Sequence, residues 1–215
     1  MVEGTRVLVR LAAALGRSVV RPDPVRLLNA MDDVLRGGDP DAAEEVLLQS
    51  YLFLGYPAAL NAFMLWRKRS GRPAPAAAPA DWAGWEQRGV EVCSKVYDGQ
   101  YEQLRDAVGR LHGDLDRWAV TEGYGKVLGR GTLDLVRREL CIVAMLAPLT
   151  VPRQLYAHLR GALNVGTEPA DVEQVLAWIR ELLPRERRRD TWKVWHKVQT
   201  RHVTAEGEVR GDVRR

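Results

Sequence analysis

Cysteine is scarce in this chain of 215 residues: Cys93 and Cys141 stand alone, with no CxxC and no metal-ligand spacing around them. That excludes a disulfide framework and a structural zinc site, and two buried free thiols in a reducing compartment are expected. His196 and His202 fall in a polar tail, too exposed by pattern for a metal site, and His112, beside Gly113, reads as a helix C-terminal cap. Long apolar runs are missing too. None approaches the roughly 18 residues of a membrane span. The opening MVEGTRVLVR lacks the apolar region of a secretory signal, so a cytoplasmic protein without a membrane partner is expected.

Charge of one sign is absent from most of the chain. The net charge is +4, but Arg185 to Arg215 hold ten Lys or Arg against five Asp or Glu, leaving the body at −1. Basic residues around Trp192 and Trp195 could stack bases and neutralise phosphates. The interleaved acids favour a solvated helix whose tryptophans pack back on the body, so nucleic acid is not the expected partner. GYGKVLGRG, residues 123–131, has neither Walker spacing nor a preceding strand and is read as a loop rather than a phosphate cradle.

What is abundant is helix punctuation. Asp23-Pro24 and Asp39-Pro40 pair an N-cap with a proline at the first helical position, and Pro57, Pro152 and Pro169 also open helices, which gives an all-α fold. A first helix is expected from Thr5 to Leu15, closed by Gly16. SGRPAPAAAPA, residues 70–80, has no periodicity and reads as a linker or exposed loop. Trp82, Trp85 and Trp118 beyond it are expected as core or lid aromatics. Asp190 would cap a short helix bearing Trp192, Trp195 and Val198 on one side, ahead of a disordered end.

The organising stretch runs from Thr132 to Gly166: two antiparallel helices, the first capped by Thr132 and stopped near Pro148. At about 100° per residue, Glu139 shares its face with Leu135, Val136, Ile142, Val143 and Leu146. His158 falls among Leu155, Ala162 and Val165, with Gln154 and Gly161 at the edges. A carboxylate in an apolar stripe must neutralise, find a partner or meet a wet cavity, and His158 is the nearest partner. Such a pair is either structural or catalytic.

This arrangement resembles the carboxymuconolactone decarboxylase and alkylhydroperoxidase-D superfamily of small helical proteins. The peroxidase branch carries Glu-x11-Cys-x2-Cys-x3-His. Counted from Glu139, the cysteine positions hold Val151 and Gln154, and the histidine is His158. The thiols are missing, so the chain resembles the decarboxylase branch more closely, through RGTLDLVRREL, RQLYAHLRGALNVG and LLQSYLFLGYPAALNA. The resemblance implies an alkylhydroperoxidase-D-like helical bundle, a trimer or hexamer, no cofactor, and a small acid or lactone substrate. It implies Glu139 and His158 as the catalytic pair of a lyase; from their places along the chain, Arg130, Gln154 and Tyr51 are the substrate-binding candidates, and Tyr56 and Asn61 could line a pocket with Tyr51. A peroxidase and a non-catalytic binding protein of the same fold are the alternatives.

A shift of 129 residues superimposes Val7 on Val136, Gly37 on Gly166, Pro40 on Pro169, Glu44 on Glu173 and Leu54 on Leu183. The expected organisation is therefore a tandem: a degenerate helical unit over 1–70, a linker over 71–81, a second unit over 82–184 carrying the site, and a basic helix and flexible tail over 185–215. In that register Arg10 and Asn29 replace Glu139 and His158.

Overall fold

The computed structural model describes residues 3–212, with side chains described through Arg201, and holds helices without a strand among them. The segments are α1 Glu3–Val20, α2 Pro24–Gly37, α3 Pro40–Leu54, α4 Tyr56–Ser70, α5 Trp82–Tyr97, α6 Tyr101–Gly109, α7 Gly113–Trp118, α8 Leu135–Leu146, α9 Pro152–Asn164, α10 Pro169–Ile179 and α11 Arg185–Asp212. The proline signals hold for a physical reason. Asp23 accepts from the Arg26 amide and Asp39 from the amides of Asp41 and Ala42, while the following proline needs no amide partner.

The core is built on α1 and α8, which pack against each other. Leu8, Leu11 and Ala12 on one, and Leu140, Ile142 and Met145 on the other, are buried. α8 is covered nearly all round from Arg138 to Leu146, so its polar residues are enclosed as completely as its apolar ones. The C-terminal helix returns Trp195 and Val198 to this core.

Several local expectations are corrected. Gly16 does not end α1: the helix runs on to Val20, and the glycine is there because a Cβ would fall 2.0 Å from the Met145 carbonyl oxygen. The cap of α8 is Asp134 rather than Thr132, accepting from the Arg137 amide. His112 begins a helix instead of closing one, its Nδ1 accepting from the Asp114 amide. Residues 123–131, read as a loop, mostly belong to a wide π-helical segment, Ala119–Leu128, that continues α7 and packs on α5. Of the two places expected for Trp82 and Trp118, their 70% and 52% exposure removes the core and leaves the lid. Asp190 lies inside α11, paired with Arg187, because that helix already starts at Arg185. That helix is also not short, running to Asp212 through the segment expected to be disordered, while the expectation for the His202 side chain lies outside the described residues.

The 129-residue shift maps helix onto helix. It carries the first residue of α3 onto that of α10, and the first residue of α4 onto that of α11. Trp66 donates its indole N–H to Glu44 at 3.1 Å, and at the shifted positions Trp195 donates to Glu173 at 3.2 Å. The packing corresponds as well: α1 lies against α2 and α10, and α8 against α9 and α3.

Candidate active site

Helices α8 and α9 run side by side after the Pro148–Val151 bend, and this brings Glu139 and His158 together. His158 Nδ1 lies 2.8 Å from Glu139 Oε2. With the carboxylate ionised, Nδ1–H donates to it, which fixes the ring and leaves Nε2 to act. Glu139 is fully buried and His158 retains 6% exposure. The Phe53 ring stands edge-on to the imidazole, with centroids 5.3 Å apart.

The carboxylate is only half satisfied. Glu139 Oε1 is buried with no hydrogen-bond partner among the described residues, a situation costing about 1–3 kcal/mol or more for a charged group. A functional site retains such a group for its chemistry. On the other side, Gly161 gives the carboxylate its room. A Cβ there would sit 2.9 Å from Glu139 Oε2 and 2.7 Å from Val96 Cγ1.

Residues from distant stretches complete the surroundings. The Glu139 charge acts on Cys93 and Tyr97 of α5 and on Tyr124 of the π segment. Burial pushes the Cys93 thiol up to about 12; Arg105 opposes this and Glu139 adds to it. Burial likewise lifts Tyr97 to about 12 and Tyr124 well above the ordinary phenol, with Glu139 adding to both. The two phenols are neutral at physiological pH and meet at 3.3 Å. These residues were not legible as site residues. Cys93 and Tyr97 share one face of α5, but nothing local says that this face meets α8 and α9. Tyr97 also borders a cavity of about 290 Å³ that continues past Leu104, Ala157 and Arg160; neither Glu139 nor His158 lines it.

Of the sequence-derived binding candidates, Gln154 lies one turn before His158 on α9 and the others lie on different segments. Arg130 grips Glu45, with Nε at 2.8 and 3.0 Å from the two carboxylate oxygens. Glu45 is shared with Arg138, which is fully buried and also donates to Gln49 and to the Arg130 carbonyl. The Tyr51 phenol donates to Glu122 at 2.8 Å. Gln154, Tyr56 and Asn61 are exposed. None of these makes a hydrogen bond to Glu139 or His158. Cys141 is buried on α8 beside Arg138, and burial raises its thiol to about 12. Among the described residues no group of His, Cys, Asp and Glu could hold a metal ion, and no helix is long and apolar enough to cross a membrane.

Residues 113–194 match the carboxymuconolactone decarboxylase family, so the resemblance holds over the segment that contains α8, α9 and both members of the pair. A curated relative, Peroxisomal protein 2 of Schizosaccharomyces pombe, is 31% identical over 138 residues, an alignment covering 62% of this chain. The chain spans 63% of the length of that relative.

Proposed function

We propose that the chain is a cofactor-independent carboxy-lyase of the decarboxylase type, acting on a small carboxylated lactone or related acid through Glu139 and His158. The observation that carries this reading is the buried 2.8 Å contact between the pair, with one carboxylate oxygen left unpartnered. In the reaction the bond from the substrate to its carboxylate breaks and carbon dioxide leaves. The electron pair delocalises into the conjugated lactone carbonyl, and a proton from His158 closes the carbanion. Glu139 orients the imidazole and stabilises its protonated form. Solvent returns the proton afterwards. His158 is only 6% exposed, so substrate entry requires side chains packed on the pair, such as the Phe53 ring edge-on to the imidazole, to move aside.

The missing thiol pair disfavours peroxidase chemistry, and Cys93 with a pKa near 12 is a poor nucleophile beside the site. The same reading takes the chain as a tandem of related units over 1–70 and 82–184, the front one kept for packing: Arg10 there donates to the Trp178 carbonyl and pairs with Glu181. It takes the protein as a cytoplasmic homo-oligomer, for which the exposed Tyr56, Leu60 and Met64 on α4 are a surface to cover.

The test is carbon dioxide release from a panel of carboxylated unsaturated lactones, run beside a peroxide-consumption assay. Turnover by the wild type should fall about 10²- to 10⁴-fold in His158→Ala and Glu139→Gln. Peroxide consumption without decarboxylation, or variants that keep the wild-type rate, would overturn the assignment.

A further inference from the structure

Away from the α8 and α9 pair, a cleft of about 580 Å³ opens where the end of α1, the start of α2 and the start of α11 meet. Five arginines line it: Arg17, Arg21, Arg26, Arg185 and Arg188. The acids on its wall are Glu181, already paired with Arg10, and Glu186. Arg26 is neutralised by Asp23 at 2.8 Å. The other four arginines have no carboxylate partner among the described residues. Arg17 and Arg188 donate to the backbone carbonyls of Leu182 and Leu183, which positions them without cancelling their charge. The Arg17 Nε is buried and unpartnered, while Arg21 and Arg185 are exposed and make no ion pair.

The α11 side of this arrangement is electrostatically unfavourable as it stands, whereas Arg17 and Arg21 sit at the C-terminal end of α1, where cations are accommodated. The opening of α11 carries Arg185, Arg187, Arg188 and Arg189 at the positive end of a helix, where cations destabilise and anions stabilise. The fold does not require them. At the equivalent positions of α4, 129 residues earlier, stand Tyr56, Ala58, Ala59 and Leu60, and that helix forms without the charges. Four unpaired guanidinium groups round one cleft ask for more negative charge than a single carboxylate carries, and their planar forks match phosphate oxygens.

We propose that this cleft binds a small molecule bearing two or more linked phosphates, held by Arg17, Arg21, Arg185 and Arg188. The site is separate from the Glu139–His158 pair and stands or falls independently of it. Free pyrophosphate and a nucleoside diphosphate share the recognised chemistry.

The experiment is calorimetric titration of the full chain with inorganic pyrophosphate and with ADP, at two salt concentrations. Saturable one-to-one binding is expected, weakened at least tenfold in Arg21→Ala/Arg185→Ala and unchanged in Arg110→Ala, which removes an exposed arginine elsewhere. Tighter binding of ADP would identify a nucleotide as the source, and equal binding a free phosphate; both support the site. No binding of either ligand overturns the proposal, as does equal weakening in Arg110→Ala. Tight binding of a single-stranded oligonucleotide that survives the double substitution would replace it with a nucleic-acid surface.

Discussion

Gly16 faces the carbonyl of Met145 so closely that a Cβ on the glycine would lie 2.0 Å from the oxygen. These residues are 129 positions apart, the same shift that maps helix onto helix, and the backbones of α1 and α8 meet at this pair. Gly16→Ala must push the two central helices apart. The expected cost is about 3 kcal/mol or more, the upper range for overpacking, because backbone rather than a flexible side chain has to move. Urea denaturation would check it; a change below about 1 kcal/mol would show that the contact is not tight.

Gly161→Ala is the corresponding test at the pair. Its Cβ would intrude between Val96 and Glu139 Oε2, so the carboxylate loses its position against His158. A stability loss of about 1–3 kcal/mol is expected, together with displacement of the His158 imidazole resonances in an NMR spectrum. Unaltered resonances would mean that the carboxylate does not need the space.

The ion pair between α3 and α8 is buried on both sides, Arg138 fully and Glu45 nearly so, at 3.0 Å. Burial lowers the Arg138 pKa, and the Glu45 hydrogen bond pulls it back up. Glu45→Ala leaves a buried guanidinium without its carboxylate and should cost about 3–5 kcal/mol. Replacing both partners with apolar residues of similar volume should recover most of that, as a double-mutant cycle in denaturant would show.

Acid should destabilise the protein through Glu44. Burial would raise its pKa, but hydrogen bonds from Arg67, Trp66 and Arg72 outweigh this and hold it below the ordinary value of 4.5. A carboxylate depressed in the folded state contributes its full stabilisation above its unfolded pKa and loses it as pH falls through the lower native one. Thermal melts should therefore show the wild type more stable than Glu44→Gln at neutral pH, with the gap closing as pH falls below about 4.5. A gap independent of pH would mean that the charge of Glu44 contributes nothing.

The helix inventory was readable because its signals are local. An Asp before a proline acts within a few residues. The stripe of Glu139 and that of His158 were readable for the same reason, since helical periodicity fixes which residues share a face. Gly16 misled because a glycine that ends a helix and a glycine that admits a neighbouring backbone look alike along one chain. The contact of Arg130 was not readable because the carboxylate it meets, Glu45, is 85 positions away and belongs to another helix.

By itself, then, the sequence determined where most helices begin and end, that they are amphipathic, and that Glu139 of α8 and His158 of α9 turn inward. Only the tertiary structure decided that these two groups touch and that Cys93, Tyr97 and Tyr124 lie within reach of the carboxylate's charge. It alone left Glu139 Oε1 without a partner among the described residues and drew the arginines of α1 and α11 into one cleft. The reason is range: caps and periodicity are settled by neighbours within a turn or two, whereas the company a buried charge keeps depends on which helices pack together.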